Sequence, residues 1–220
     1  MGQPRGVPPG PEGWLDYAGA MDGRPSRSWV QKAIASTRND ISLAVVSIVR
    51  NSIAGSVLVP QILRTMLYRW SGLQIRSFNI REGQVIDNGN VRIGDRTFVN
   101  RHCSFEGEGV ISIGSNCQIG PEAMFLTSSH ERLPGGSIDS DAIFMDIRVG
   151  DGVWIGARAV ILPGTIIEND CIVAAGAVVR GRCLAGESYG GVPARLLGSS
   201  GGAGERRGIS VLESAAGNEL

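Results

Sequence analysis

Aromatic side chains are scarce in this chain, 5% of 220 residues against 32 glycines, so it reads as turn-rich rather than helical. Charge of either sign is not in excess: 21 Lys and Arg balance 21 Asp and Glu, which removes the electrostatic bias expected of a nucleic-acid binder. The four cysteines form no CxxC pair, which excludes a zinc ribbon and gives no sign of a secreted disulfide framework. A reducing, cytoplasmic setting is expected. No uninterrupted apolar core follows a basic start, so no signal peptide is expected. The apolar stretch from Ile41 to Val59 carries Arg50 and Asn51 at its middle, which argues against a membrane span.

What the chain does have is a beat of six. Val149, Ile155, Ile161, Ile167, Val173 and Val179 stand six residues apart, and the residue four places after each (Val153, Ala159, Thr165, Cys171, Ala177, Cys183) is small. An α-helix would repeat its apolar residues roughly every 3 to 4 positions and a half-buried strand about every 2. A strict six calls for a coil of very short parallel strands, a β-solenoid. Successive strand residues point to opposite faces, so the plus-four residue and the next anchor face inward and the plus-five residue between them faces outward. Cys103, Cys117, Cys171 and Cys183 all fall on the inward plus-four position and read as packing residues. Glycine or alanine often follows the anchor, as at Gly150, Gly156 and Ala174, and suits the corner each hexapeptide must turn. The beat also runs through Ile93, Val99 and Phe105, slips by two residues, resumes at Ile113, Ile119 and Phe125, and breaks between Ser129, itself read as an inward partner, and Val149.

This divides the chain into a Pro/Gly-rich tail over 1–28, a helical segment over 29–75, a solenoid over 76–198 with an extruded loop at 131–146, and a second tail over 199–220; both tails are expected to be mobile. One helix is expected from about Trp29 toward Val59. A second starts at Pro60 and stops at Gly72, with Ile62, Leu63, Met66, Leu67 and Trp70 as one stripe. With few basic residues beside it, the stripe is expected to dock on the solenoid, leaving room for only weak peripheral membrane contact. The outward plus-five residues Trp154, Val160, Ile166, Ile172, Val178 and Leu184 are all apolar and spread over the three faces of a coil. Some of them must be covered, which predicts a homo-oligomer, a trimer.

The run Val153-Trp154-Ile155-Gly156-Ala157 through Ile161-Leu162-Pro163-Gly164-Thr165, the stretch Val173 to Val179, the terminal Gly191-Val192-Pro193-Ala194-Arg195 and the upstream Ser128-Ser129-His130 closely resemble hexapeptide-repeat acyltransferases. Within these, the chain looks like the group of maltose, galactoside and nodulation-factor O-acetyltransferases. The resemblance covers about Gly89 to Leu197. It implies a mainly β fold, a left-handed parallel β-helix, against the general right-handedness of parallel crossovers. It also implies a trimer with active sites between subunits, and acetyl-CoA as co-substrate with no metal required.

Acetyl transfer from a thioester to an alcohol needs a base for the hydroxyl proton and a donor for the oxyanion. His130 is the candidate base, since imidazole titrates near neutral pH and a hydrogen bond to its other ring nitrogen would fix the useful tautomer. His102 sits in a corner and is expected to face solvent. By resemblance, Asn100 orients the acceptor and stabilises the transition state; its alternative is a left-handed corner residue. Glu108, and less directly Glu106, match the acid that contacts a sugar hydroxyl. Ala157 and Ala175 would offer backbone contacts to the pantetheine arm, and Arg180 and Arg195 would meet phosphate, for which arginine is suited. Arg180 with Arg182 also reads as a solvated edge. Trp154 packs beside the CoA arm or in the subunit interface.

A carbonic anhydrase on such a coil would need three histidines around a metal, and the chain has two. A sugar nucleotidyltransferase would carry an α/β domain first, and residues 1–75 show neither a βαβ pattern nor a glycine-rich phosphate motif. The expected acceptor is a sugar, glycan or glycosylated metabolite. The alternatives are an antibiotic hydroxyl and, from another class, a non-catalytic scaffold.

Overall fold

The computed structural model describes residues 41–87, 89–133 and 135–199, and the chain divides after Val45 into two compact units. The tail over 1–28, the start of the first expected helix and residues 200–220 lie outside the described residues. Ser199, read as the start of the second tail, is instead the last residue of the strand Arg195–Ser199.

From Gln74 onward the second unit is a parallel β-solenoid of three faces. The first face stacks Gln74–Ile75, Val91–Ile93, Ile111–Ile113, Ile147–Val149, Ile166–Ile167 and Arg182–Cys183. The second stacks Phe98–Val99, Gln118–Ile119, Trp154–Ile155, Ile172–Val173 and Glu187–Gly190, and ends on the antiparallel Arg195–Ser199. The third stacks Val85–Ile86, Ser104–Glu106, Met124–Leu126, Val160–Ile161 and Val178–Val179. The interior follows the phases of the repeat: the anchors from Val149 to Val179 and the plus-four residues from Val153 to Cys183 are all buried, with Ile155, Ile161, Ala159 and Cys171 at 0% exposure. Phe105 and Phe125, one coil apart on the third face, stack inside with ring centroids 5.1 Å apart. All four thiols are buried, and burial pushes Cys103 and Cys183 up to about 12, so they pack and do not react.

The corners correct one reading. The residue that turns left-handed is three places after the anchor: Arg96, His102, Asn116, Glu122, Gly152, Arg158, Gly164, Asp170 and Gly176 all have φ between 54° and 77°. The glycine one place after the anchor has an ordinary backbone and is there for a different reason. A Cβ on Gly156 would lie 2.4 Å from the amide nitrogen of Ala175, and one on Gly120 would lie 2.6 Å from that of Ala157. Coils held a strand spacing apart leave no room for a methyl group at that point.

The segment 131–146, read as an irregular loop, is a β-hairpin. Ser128–Arg132 pairs antiparallel with Ile138–Phe144, with Ala142 opposite His130 and Ile143 opposite Ser129. The coil is therefore left at Thr127, which is fully buried, and Ser129 is a half-buried hairpin residue instead of an inward partner. The neck is closed by the Met145 N–H donating to the Thr127 carbonyl at 2.8 Å.

Before the solenoid come a π-helix, Ile48–Ala54, and the α-helix Gln61–Trp70, here α1, with Pro60 as its cap and Gly72 at φ 99° just beyond it. The expected docking of the α1 stripe is overturned. Ile62, Leu63, Met66 and Trp70 are 61, 48, 54 and 70% exposed, and only Leu67 packs partly on the core. The helix docks by its opposite face, burying Arg64, Thr65 and Tyr68. The reason is backbone acceptors: Arg64 donates to the carbonyls of Ala54 (2.7 Å), Ile80 (3.1 Å), Ser56 (2.8 Å) and Val59 (2.8 Å), which no apolar side chain could satisfy, and of these only Ser56 O also accepts from a backbone N–H, that of Val59 at 3.2 Å, among the described residues. Arg64→Met keeps the bulk and strands the carbonyls of Ala54, Ile80 and Val59, and is expected to cost about 3 kcal/mol in urea unfolding. Arg64→Lys should recover only part of this, because one ammonium lacks the planar fork.

Candidate active site

The second face carries a column of outward residues in register: Phe98 beside Gln118, Gln118 beside Trp154, Trp154 beside Ile172. These side chains and the corner residues that follow their strands, Asn100, Gly120-Pro121, Gly156-Ala157 and Ala174-Ala175, line a groove of about 580 Å³. Thus Asn100, Trp154, Ala157 and Ala175 come together in one place along the edge between the second and third faces. The absence of a Cβ on Gly120 and Gly156 lets adjacent corners stack. Among the described residues, neither the Ala157 nor the Ala175 N–H has a backbone acceptor, so two donors stand along the groove. Trp154 is half exposed at its centre.

Asn100 is not in the left-handed region, so that alternative fails; the left-handed residue of its corner is His102, at φ 58°. The Asn100 backbone is fixed on both sides: its N–H donates to Ile119 O at 3.0 Å, and its carbonyl accepts from the buried Gln84 Nε2 at 2.7 Å. Its Oδ1 accepts from the Arg101 N–H at 2.9 Å. His102 is exposed, its ring laid over Gly83, where a Cβ would meet the imidazole at 2.2 Å.

His130 stands on the hairpin, exposed, with Nδ1 3.0 Å from the carbonyl oxygen of Asp139. A carbonyl only accepts, so the hydrogen bond requires the proton on Nδ1 and leaves the lone pair on Nε2. The hairpin bulge between Ile138 and Ala142 brings Asp139 to this position. Beside the hairpin neck runs the corner of the preceding coil, where Glu106 is in register with Leu126 and accepts from Ser104 Oγ. Glu108, exposed in the same corner, accepts a hydrogen bond on its backbone carbonyl from Asn90 Nδ2 at 2.8 Å. His130, Glu106 and Glu108 therefore share the edge between the third and first faces, one edge away from the groove.

The predicted phosphate contacts separate. Arg195 lies on the last strand of the second face, two strands beyond Ile172–Val173. Arg180 is exposed at the corner after Val178–Val179, on the edge that His130 occupies. Its neighbour Arg182 points outward on the first face, where it pairs with Glu168 and holds that carboxyl below the usual range. Sequence reading missed Phe98, Gln118, Pro121 and Ala174 as groove residues. Their signal is the spacing to Trp154 and Ala175, disguised by the two-residue slip and by the hairpin. Among the described residues no group of three or more His, Cys, Asp or Glu is placed to hold a metal.

Residues 146–181 match the family model described as bacterial transferase hexapeptide, six repeats. The chain is 26% identical over 108 residues to the galactoside O-acetyltransferase of Escherichia coli, covering 49% of this chain and 53% of that protein. It is 33% identical over 109 residues to nodulation protein L of Rhizobium meliloti, covering 50% and 60%. The chain thus spans about half the length of the curated relatives it matches. Among solved structures, a hexapeptide-repeat-containing acetyltransferase of Vibrio cholerae complexed with acetyl coenzyme A superposes with a TM-score of 0.62 at 27% identity, over 72% of this chain and 85% of that one.

Proposed function

From a hexapeptide-repeat solenoid that is similar in sequence and in structure to acetyltransferases, we propose an acetyl-CoA-dependent O-acetyltransferase acting on a hydroxyl of a sugar, glycan or glycosylated metabolite. The observation that carries the reading is the His130 Nδ1 contact with the Asp139 carbonyl, which presents Nε2 as a base at the solvent-facing surface. Acetyl-CoA lies in the second-face groove, its arm along the N–H groups of Ala157 and Ala175 and against Trp154, with its phosphates toward Arg195. The acceptor oxygen attacks the thioester carbonyl as its proton passes to His130 Nε2. The tetrahedral intermediate then collapses, breaking the carbon–sulfur bond, and the departing CoA thiolate recovers the proton. Asn100 orients the acceptor, and Glu108 accepts from a neighbouring hydroxyl. Arg180, on the His130 edge, meets the nucleotide phosphates of a cofactor held by a neighbouring chain.

The proposal requires more than one copy. His130 is on one edge of the prism and the groove on another, and Trp154, Ile166 and Leu184 remain 50, 37 and 49% exposed in the single chain. A cyclic trimer sets each His130 edge against the next groove edge and covers part of this apolar surface. Light scattering is expected to give three chain masses; a stable monomer that is nevertheless active would refute the shared site. Release of free CoA, followed with a panel of sugars, glycosides and antibiotics and with His130→Ala as the blank, tests the activity. Silence with every acceptor and no CoA binding would leave a scaffold.

A further inference from the structure

The outward face of α1 needs an occupant. It presents Ile62, Leu63, Met66 and Trp70 on one side of a ten-residue helix, preceded by Val57 and Leu58, which are 75 and 86% exposed. Side chains exposed to that degree project from the surface instead of lining a groove, and projecting apolar groups are buried by immersion in a soft apolar phase. The helix is too short to cross a bilayer, and no helix among the described residues is long and apolar enough to do so.

Charge identifies the phase. From Ile41 to Arg81 the chain contains no Asp or Glu and five arginines, Arg50, Arg64, Arg69, Arg76 and Arg81. Arg50 and Arg64 are buried as backbone and hydroxyl donors. Arg69, at the last turn of α1, donates to Ile75 O and Arg76 O and lies 4.5 Å over the Phe78 ring, with no carboxylate paired to it among the described residues. It lines a cavity of about 700 Å³ with Arg76, Arg92 and Asp95. Asp95 is taken by Arg76 at 3.2 Å, so three guanidinium groups face one carboxylate in a cavity that α1 reaches by Arg69, in its last turn. Arginine forks suit phosphate oxygens, and basic residues at the end of an apolar helix face help hold a peripheral helix on an anionic surface.

We propose that α1 docks this chain on an anionic lipid bilayer, with the Ile62, Leu63, Met66 and Trp70 face in the acyl boundary and the Arg69, Arg76 and Arg92 cavity on a lipid phosphate. The acceptor would then be met at a membrane surface.

The full chain is tested by flotation with vesicles of phosphatidylcholine alone and of phosphatidylcholine mixed equally with phosphatidylglycerol. Binding is expected to the mixed vesicles, to weaken with added salt, and to be far lower on phosphatidylcholine alone. Ile62→Glu with Trp70→Glu, both exposed positions, should abolish flotation while leaving circular dichroism and CoA release from a soluble acceptor unchanged. Arg92→Gln should weaken binding about fivefold, the loss of one basic residue near an anionic surface. Absence of flotation with either vesicle, or equal flotation by the double variant, overturns the proposal. If wild type does not float and the double variant loses oligomeric mass, the face is an interface between copies and the proposal fails.

Discussion

His130→Ala is expected to lower kcat about 1000-fold, the size that removal of a positioned general base would give, while oligomeric mass and CoA binding should stay at wild-type values. The separation follows from where the residue stands. His130 is on an exposed hairpin strand whose two ends meet at the Thr127–Met145 hydrogen bond, so its loss disturbs neither the coil stack nor the second-face groove. His130→Gln adds a sharper control, because an amide can keep a hydrogen bond to the Asp139 carbonyl but cannot take a proton. Both variants should therefore be equally inactive. Activity in His130→Gln close to wild type would mean that the side chain positions the acceptor without accepting its proton, and near-normal acetylation by His130→Ala would remove it from the chemistry.

Gly156→Ala is expected to cost about 3 kcal/mol by urea unfolding, as much as Arg64→Met. Its new Cβ would meet three backbone atoms of the next coil, Ala175 N at 2.4 Å and Ala174 C and Ala175 Cα at 2.8 Å. None of these can swing away as a side chain could. The two coils are tied on either side by Gly156 N to Val173 O at 2.7 Å and Gly176 N to Ala157 O at 2.8 Å, so the strain is relieved only by parting hydrogen-bonded layers. The contrast is Gly176→Ala: at φ 69° with nothing within 4 Å of its Cβ, it should cost about 1 kcal/mol of left-handed backbone strain alone. Equal losses in the two variants would show that corner conformation, and not coil spacing, selects glycine in this repeat. Because Gly156 also lines the groove, Gly156→Ala should raise the Kd for CoA in whatever fraction remains folded.

The solenoid was legible because its constraint is local and repeated: one anchor and one small residue per six, and the plus-four column removed Cys103, Cys117, Cys171 and Cys183 from any chemical role before their burial was known. The hairpin was not legible. Its strands are exposed on both sides, so Ser128–Arg132 carries no alternation of apolar and polar residues from which a strand could be read. The α1 helix was found in the right place and turned the wrong way. The rule that the apolar stripe faces inward failed because Arg64 answers four carbonyls, a demand that hydrophobic patterning does not register. Of the groove residues, Asn100, Trp154, Ala157 and Ala175 were named from the sequence, though with separate roles. Phe98 and Gln118 did not, because the column they belong to steps 20, 36 and 18 residues from Phe98 to Gln118 to Trp154 to Ile172.

Those unequal steps carry a consequence. Trp154 follows Gln118 by 36 residues where Ile172 follows Trp154 by 18, so one coil holds a full extra coil's length of chain, yet its register with both neighbours is undisturbed. The surplus leaves and returns through a neck one hydrogen bond wide. Lengthening it would cost only the slow logarithmic entropy of a longer loop, while the layers above and below keep their spacing. The scaffold is therefore indifferent to what is hung on it. The hairpin that bears His130 behaves as an interchangeable tool on a fixed handle, free to change its shape without any change in the fold that carries it.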